Sequence, residues 1–94
     1  MMTKEEQIQF IGNQISRLDE LLSACYQNCS GFYVDYQEYL QFMKEINHFF
    51  EENLDNGHPI VNEFREIITD NKKHKIIQAK VILKELQEEI AKDD

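Results

Sequence analysis

The side chains of this chain most able to do chemistry are its two cysteines and three histidines. Cys25 and Cys29 stand four apart in the run CYQNC. A thiol pair at that spacing supplies half of a structural zinc site, which needs about four ligands in tight pairs. The nitrogen ligands that would complete it, His48, His58 and His74, are scattered along the chain. We therefore expect Cys25 to continue an apolar helix face and Cys29 to be a loop thiol. A local disulfide would require an exported chain. Glu45 and His48 form a Glu-x-x-His pair. Di-iron bundles use two such motifs plus two further inward Glu residues. Here there is one motif, with Ile46 and Phe50 on the neighbouring core face, so the pair is expected to face water. The sequence contains no His-Glu-x-x-His, no Gly-rich phosphate loop and no Gly-x-Ser-x-Gly. A Cys–His arrangement assembled in space stays open, because triads are defined by geometry. The expectation is a protein that is not an enzyme, with no metal, no other cofactor and no small-molecule substrate.

The side chains suited to contact are more informative. All four tyrosines, Tyr26, Tyr33, Tyr36 and Tyr39, share one window with Phe32. Part of that window is loop, so these rings either plug one end of a helical body or form a contact surface. Tyr is favoured in contacts because it brings area at little entropy cost. Ile77 and Val81 make a second apolar strip on the last periodic segment, away from its Ile76–Leu83–Ile90 face. Such a helix is either central or touches a partner, and a homodimer through this helix is one use. Acids gather on the second helix as Glu38, Glu45, Glu51, Glu52 and Asp55, followed by Glu63 and Glu66. The candidate partner-binding residues are therefore Tyr26, Phe32, Tyr33, Tyr36, Ile77, Val81, Glu45 and Glu52.

Periodic apolar residues define the elements that must position these groups. A first helix is expected from about Lys4 to Ala24, opened by a capping box of Thr3 and Glu6. Ile8, Ile11, Ile15, Leu18, Leu22 and Cys25 fall on one face, flanked by Phe10 and Leu21. Gly31, with Asn28 and Ser30, is expected to end this region. A second helix is expected from about Tyr36 to Leu54, capped by Asp35 with Glu38 and stapled by Val34 and Tyr39. Its seam is Tyr39, Met43, Ile46 and Phe50, broadened by Tyr36, Leu40, Phe42, Phe49 and Leu54. Asn56-Gly57 before His58-Pro59 reads as a stop, with Gly57 left-handed and Pro59 opening a third helix. That helix carries Ile60, Val61, Phe64, Ile67 and Ile68. The last segment carries Ile76, Ala79, Leu83, Leu86 and Ile90. The apolar face turns by roughly a quarter-turn between these two segments. Asp70 and Asn71 favour a break as cap residues. Lys72, Lys73 and Lys75 oppose it, because a helix start prefers acids. Two helices are favoured over one kinked helix. No sustained period-2 alternation suggests a strand. The expected fold is all-α, a small antiparallel bundle of three long helices and one short one.

Ninety-four residues bound this to one domain, 1–94, with a radius of gyration of about 12 Å. The apolar share of 41% is too high for disorder, and three Gly with one Pro argue against collagen-like or linker-like chains. The MMTKEEQIQF start carries acids where a signal peptide has an apolar run, and no stretch approaches about 20 apolar residues. A cytoplasmic protein that leaves membranes alone is expected. A bias toward Ile, Lys, Asn and Gln, with Arg only at 17 and 65, hints at an AT-rich bacterial or phage genome.

Eighteen acids against ten Lys and Arg give a net charge of −8. The charge is uneven: residues 1–71 carry four bases and thirteen acids, or −9, and residues 72–94 carry six Lys and five acids, or +1. Between Lys72 and Lys84 there is no acid. Such an acidic chain argues against a general nucleic-acid coat. The expected function is non-catalytic binding of another protein to regulate or inhibit it, as bacterial or phage regulators, inhibitors and immunity proteins do. One alternative is an acidic mimic of nucleic acid that blocks a DNA- or RNA-binding enzyme. The other is a helical nucleic-acid binder using Lys72–Lys84.

Overall fold

The computed structural model describes residues 1–92, so Asp93 and Asp94, which the domain range and the charge count include, lie outside the described residues. Four helices and one small hairpin follow in the order α1 (Lys4–Ser23), β1 (Tyr26–Asn28), β2 (Gly31–Tyr33), α2 (Tyr36–Asn53), α3 (Pro59–Ile67) and α4 (Lys73–Lys92). α1 and α4 have 20 residues each, α2 has 18 and α3 has 9. The long axis is 47 Å, the others are 23 and 19 Å, and the radius of gyration is 13.4 Å. That elongation puts it above the value for a rounder chain of this length.

Each helix begins for a local reason. The Thr3 hydroxyl accepts from the Glu6 amide at 3.2 Å, and the Glu6 carboxylate accepts from the Thr3 amide at 3.0 Å. Two otherwise unpaired donors at the start of α1 are thereby satisfied. Asp35 accepts from the Glu38 amide at 2.9 Å and caps α2. The flanking Val34 and Tyr39 are both buried, as a hydrophobic staple requires. His58 caps α3, its Nδ1 accepting from the Ile60 amide at 3.2 Å, and Pro59 fills the first turn, where its missing donor costs nothing.

Helix directions follow from the contacts. α1 runs antiparallel to α2, since Met2 meets Asn53, Phe10 meets Phe49 and Arg17 meets Glu45. It also runs antiparallel to α4, since Ile8 meets Gln87 and Asp19 meets Lys80. The core between them is fully buried at Ile11, Leu18, Phe42, Ile46, Phe64, Ile76, Leu83 and Leu86. A chain of rings, Phe10–Phe49–Phe50–Phe64–Phe42, threads α1, α2 and α3 with centroid separations of 4.7 to 6.2 Å. Aromatic pairs in this range add attraction beyond their buried area.

Several expectations need correction. The fold is mostly helical but not all-α, because residues 26–33 form an antiparallel hairpin pairing Tyr26 with Tyr33 and Asn28 with Gly31. Two three-residue strands are too short to show alternation. A lone hairpin is marginal in water, and this one is docked. Tyr33 bridges to Lys72, the Val34 amide donates to the Asn71 carbonyl at 3.0 Å, and the Asn71 side-chain amide donates to the Val34 carbonyl at 2.7 Å. Gly31 does not end α1, which closes at Ala24; it opens β2 at a φ of 131° that L residues avoid. Gly57 is not left-handed, and α2 ends instead in extended backbone at Leu54.

The buried face of α2 is rotated from the expected seam. Phe42, Phe49 and Asn53 are buried with Tyr39, Ile46 and Phe50, while Leu40 is exposed and Met43 half-buried. Packing against both α1 and α3 selects that side. α3 and α4 are two helices separated by residues 68–72, not one kinked helix. The lysines at the α4 start are tolerated because Asp70 and Thr69 hold Lys75 at 3.1 and 2.6 Å. Asp70 also accepts from the Lys72 amide at 3.0 Å.

Candidate functional site

Where the start of α1 lies against the end of α2, the surface opens into a cleft of about 500 Å³. Its apolar part comes from Met1, Met2, Phe10 and Phe49, and its polar part from Glu6, Glu45, His48, Glu52 and Asn53. Phe10 and Phe49 stack at 4.7 Å with an interplanar angle of 7°. The residues before α1 are fixed by two buried amides. The Asn53 side-chain oxygen accepts from the Met2 amide at 2.9 Å, and the Gln7 side chain donates to the Met2 carbonyl at 3.0 Å. Asn53 also donates to the Phe49 carbonyl at 3.1 Å, which ties this clamp to α2.

Two carboxylates of the cleft, Glu45 and Glu6, are held below the usual carboxylate range. Glu45 accepts from Gln41 at 2.8 Å and from Arg17 at 3.0 Å. The Gln41 bond does most to hold its carboxyl below the usual range; partial burial opposes it, and Arg17 adds to the lowering. Glu6 is lowered chiefly by the Thr3 amide, then by the Thr3 hydroxyl, with a smaller effect from the chain's α-ammonium. Glu52 stands at the exposed rim, 4.0 Å from His48. No lysine or arginine is among the described residues that line the cleft. An apolar floor presented by half-buried Phe10 and the two methionines, with Phe49 stacked beneath, suits a cationic group carried on an apolar stem beside the carboxylates. A Lys or Arg flanked by apolar residues has that form.

The expected partner-binding residues divide between this cleft and the opposite end of α1. Glu45 and Glu52 are brought together at the cleft. Of the Glu45–His48 pair, His48 is exposed, and the Glu45 side chain keeps partial exposure while it bonds Arg17 of α1. The tyrosine window splits. Tyr39 is in the core, and burial raises its hydroxyl pKa, with Asp70 and Tyr36 adding to the rise. Tyr26, Phe32 and Tyr36 are exposed and Tyr33 is half-buried, with Tyr26 and Tyr33 stacked across the hairpin at 6.1 Å. Ile77 and Val81 are exposed, and Ile77 shares a hollow of about 200 Å³ with Phe32, Lys73 and His74. The two hollows share no lining residue.

The groups able to do chemistry lie apart. Cys25 is half-buried beside the core, and Cys29 is exposed in the hairpin turn; both are free thiols. His58 caps α3 and faces Glu89 at 3.8 Å, while His74 is on the α4 surface. Among the described residues no three His, Cys, Asp or Glu side chains converge to hold a metal ion. No helix among them is long and apolar enough to cross a membrane.

Sequence reasoning missed Met1, Met2, Phe10, His48 and Phe49 as members of one surface. The signal available was that Phe10 and Phe49 each widen the flank of a stripe, on helices that a short connection makes antiparallel. The Lys72–Lys84 run is also less free than its spacing implies. Lys75 is held by Asp70, Lys80 pairs with Asp19, and Lys73 lies over the Phe32 ring at 5.3 Å. Comparison of the chain with family models, with curated proteins and with solved structures finds no match.

Proposed function

We propose that the protein is a non-catalytic interaction module, a small antiparallel helical bundle that binds a partner protein in the cytoplasm and regulates or inhibits it. The α1–α2 cleft is its docking site, and the partner presents a segment with Lys or Arg between apolar anchors. Regulation follows from occupancy, because a covered basic segment is withheld from its own target. Regulators, inhibitors and immunity proteins of bacteria and phage are the class in which this reading places it. The observation that carries the reading is the pairing of a stacked Phe10–Phe49 floor with Glu6, Glu45 and Glu52 in one cleft.

Calorimetric titration at physiological salt tests it with two short synthetic peptides of equal positive charge, one of Lys and Leu and the other of Lys and Ser. The Lys/Leu peptide is expected to bind, the Lys/Ser peptide is not, and Glu52→Lys should weaken binding by about tenfold. Equal affinities that collapse together as salt rises would overturn the docking reading. They would favour an acidic nucleic-acid mimic using the exposed Glu38, Glu51, Asp55, Glu63 and Glu66, since exposed charges are screened and apolar docking is not. Turnover on a broad substrate panel with stoichiometric metal would overturn the non-catalytic part. An electrophoretic shift with DNA or RNA at low salt would instead support binding through Lys72–Lys84, against which three engaged lysines already count.

A further inference from the structure

The exposed face of α4 carries two apolar residues one turn apart, Ile77 at 43% and Val81 at 55% exposure. Phe32, 48% exposed on the hairpin, borders Ile77 across the 200 Å³ hollow. These three side chains form a small apolar patch, with the Lys73 ammonium over the Phe32 ring at its edge and the rest of it open to solvent. The charges along α4 indicate what does cover it. Its first twelve residues, Lys73 to Lys84, hold no acid, and its last eight bring in Glu85, Glu88 and Glu89.

We infer that α4 pairs antiparallel with α4 of a second copy of this chain, across this face. A twofold axis passing near Gln78 and Ala79 sets Val81 of each copy against Phe32 and Ile77 of the other. The same axis sets Glu85 of each copy opposite Lys73 of the other. Parallel pairing would place the basic halves together and is disfavoured by like charge. The symmetric arrangement is closed, so it gives a dimer and not a filament. Each molecule carries −8, and this repulsion is screened over about 8 Å at physiological ionic strength, whereas the Lys73–Glu85 contacts act at short range. Three half-exposed side chains make a small interface, of the kind seen in weak and transient association. The dimer is therefore expected to dissociate in the micromolar range.

Sedimentation velocity on the full chain over increasing concentration is the test, with circular dichroism confirming that each variant is folded. Wild type is expected to shift from monomer to dimer. Ile77→Lys and Val81→Lys are expected to stay monomeric, and both alter exposed positions that the core does not use. Lys73→Glu alone should weaken association by about tenfold or more. Combined with Glu85→Lys it should regain dimerisation, and a mixture of the two single variants should form a heterodimer. A wild type that stays monomeric throughout overturns the inference. So does a dimer that survives Ile77→Lys and Val81→Lys, or a double charge reversal that restores nothing. Peptide binding at the α1–α2 cleft should be unchanged in Val81→Lys, so failure here and failure of the cleft reading are separate results.

Discussion

Asn71 shows how much a single residue can hold in a chain of this size. Its side chain donates to the carbonyl of fully buried Val34, and its own carbonyl accepts from the Val34 amide. Asn71→Ala removes the donor and leaves a buried carbonyl to find another. A loss of about 1–3 kcal/mol in denaturant unfolding is expected. Asp70, next to it, gives a prediction in pH. Burial alone would raise its carboxyl, but the Lys72 amide and the Lys75 ammonium outweigh that and hold it below the ordinary 3.8. A carboxyl lowered on folding adds stability that is complete above the unfolded value and is lost as pH falls through the folded one. The melting temperature of wild type should therefore fall more between about pH 5 and pH 3 than that of Asp70→Asn. Both residues read as helix caps in the sequence. Asp70 does take a cap-like bond to Lys72. Asn71 reaches 37 residues back to Val34, and no local pattern encodes such a contact.

At the scale of elements, the hairpin and the two glycines near helix ends separate what is legible in the sequence from what is not. The helices are readable because residues such as Ile11, Ile15 and Leu18 repeat at the spacing of a helix face. The hairpin is not, because its strands are too short for alternation and its stability comes from docking at Asn71 and Lys72. Gly31 holds a φ of 131°, and the space beside its Cα is open, so only its backbone conformation demands glycine. Gly31→Ala should cost more than about 1 kcal/mol. Gly57 has no positive φ and equally open space. Gly57→Ala should leave stability unchanged or raise it by about 0.4–1 kcal/mol, through the unfolded chain. Thermal melts of the two variants side by side check the contrast. The buried face of α2 lies one flank away from its apolar seam, because the seam alone does not say that α2 packs on two helices at once. For the same reason the seam does not reveal Phe49 and Phe10 as one surface.

For the whole molecule, the structure gives the charge imbalance a direction. The acidic cleft lies where α1 begins, and the hairpin with the basic half of α4 lies where α1 ends. A helix of 20 residues separates them by roughly 25–30 Å along a 47 Å body. Lys80 with Asp19 and Lys75 with Asp70 neutralise part of the basic end internally. The acidic end gives up part of its charge to the Arg17–Glu45 pair but keeps Glu6 and Glu52 at the cleft, and on the proposed reading it is the end that draws a basic partner. Backbone amide chemical-shift mapping of the full chain, titrated with the Lys/Leu peptide at physiological salt, tests this most directly. Saturable shifts are expected at Met2, Phe10, His48, Phe49 and Glu52, with Glu63, Glu66 and the Ile77–Val81 face unmoved. Shifts spread over all the exposed acids, or centred on α4, would contradict the assignment of the cleft as the docking site.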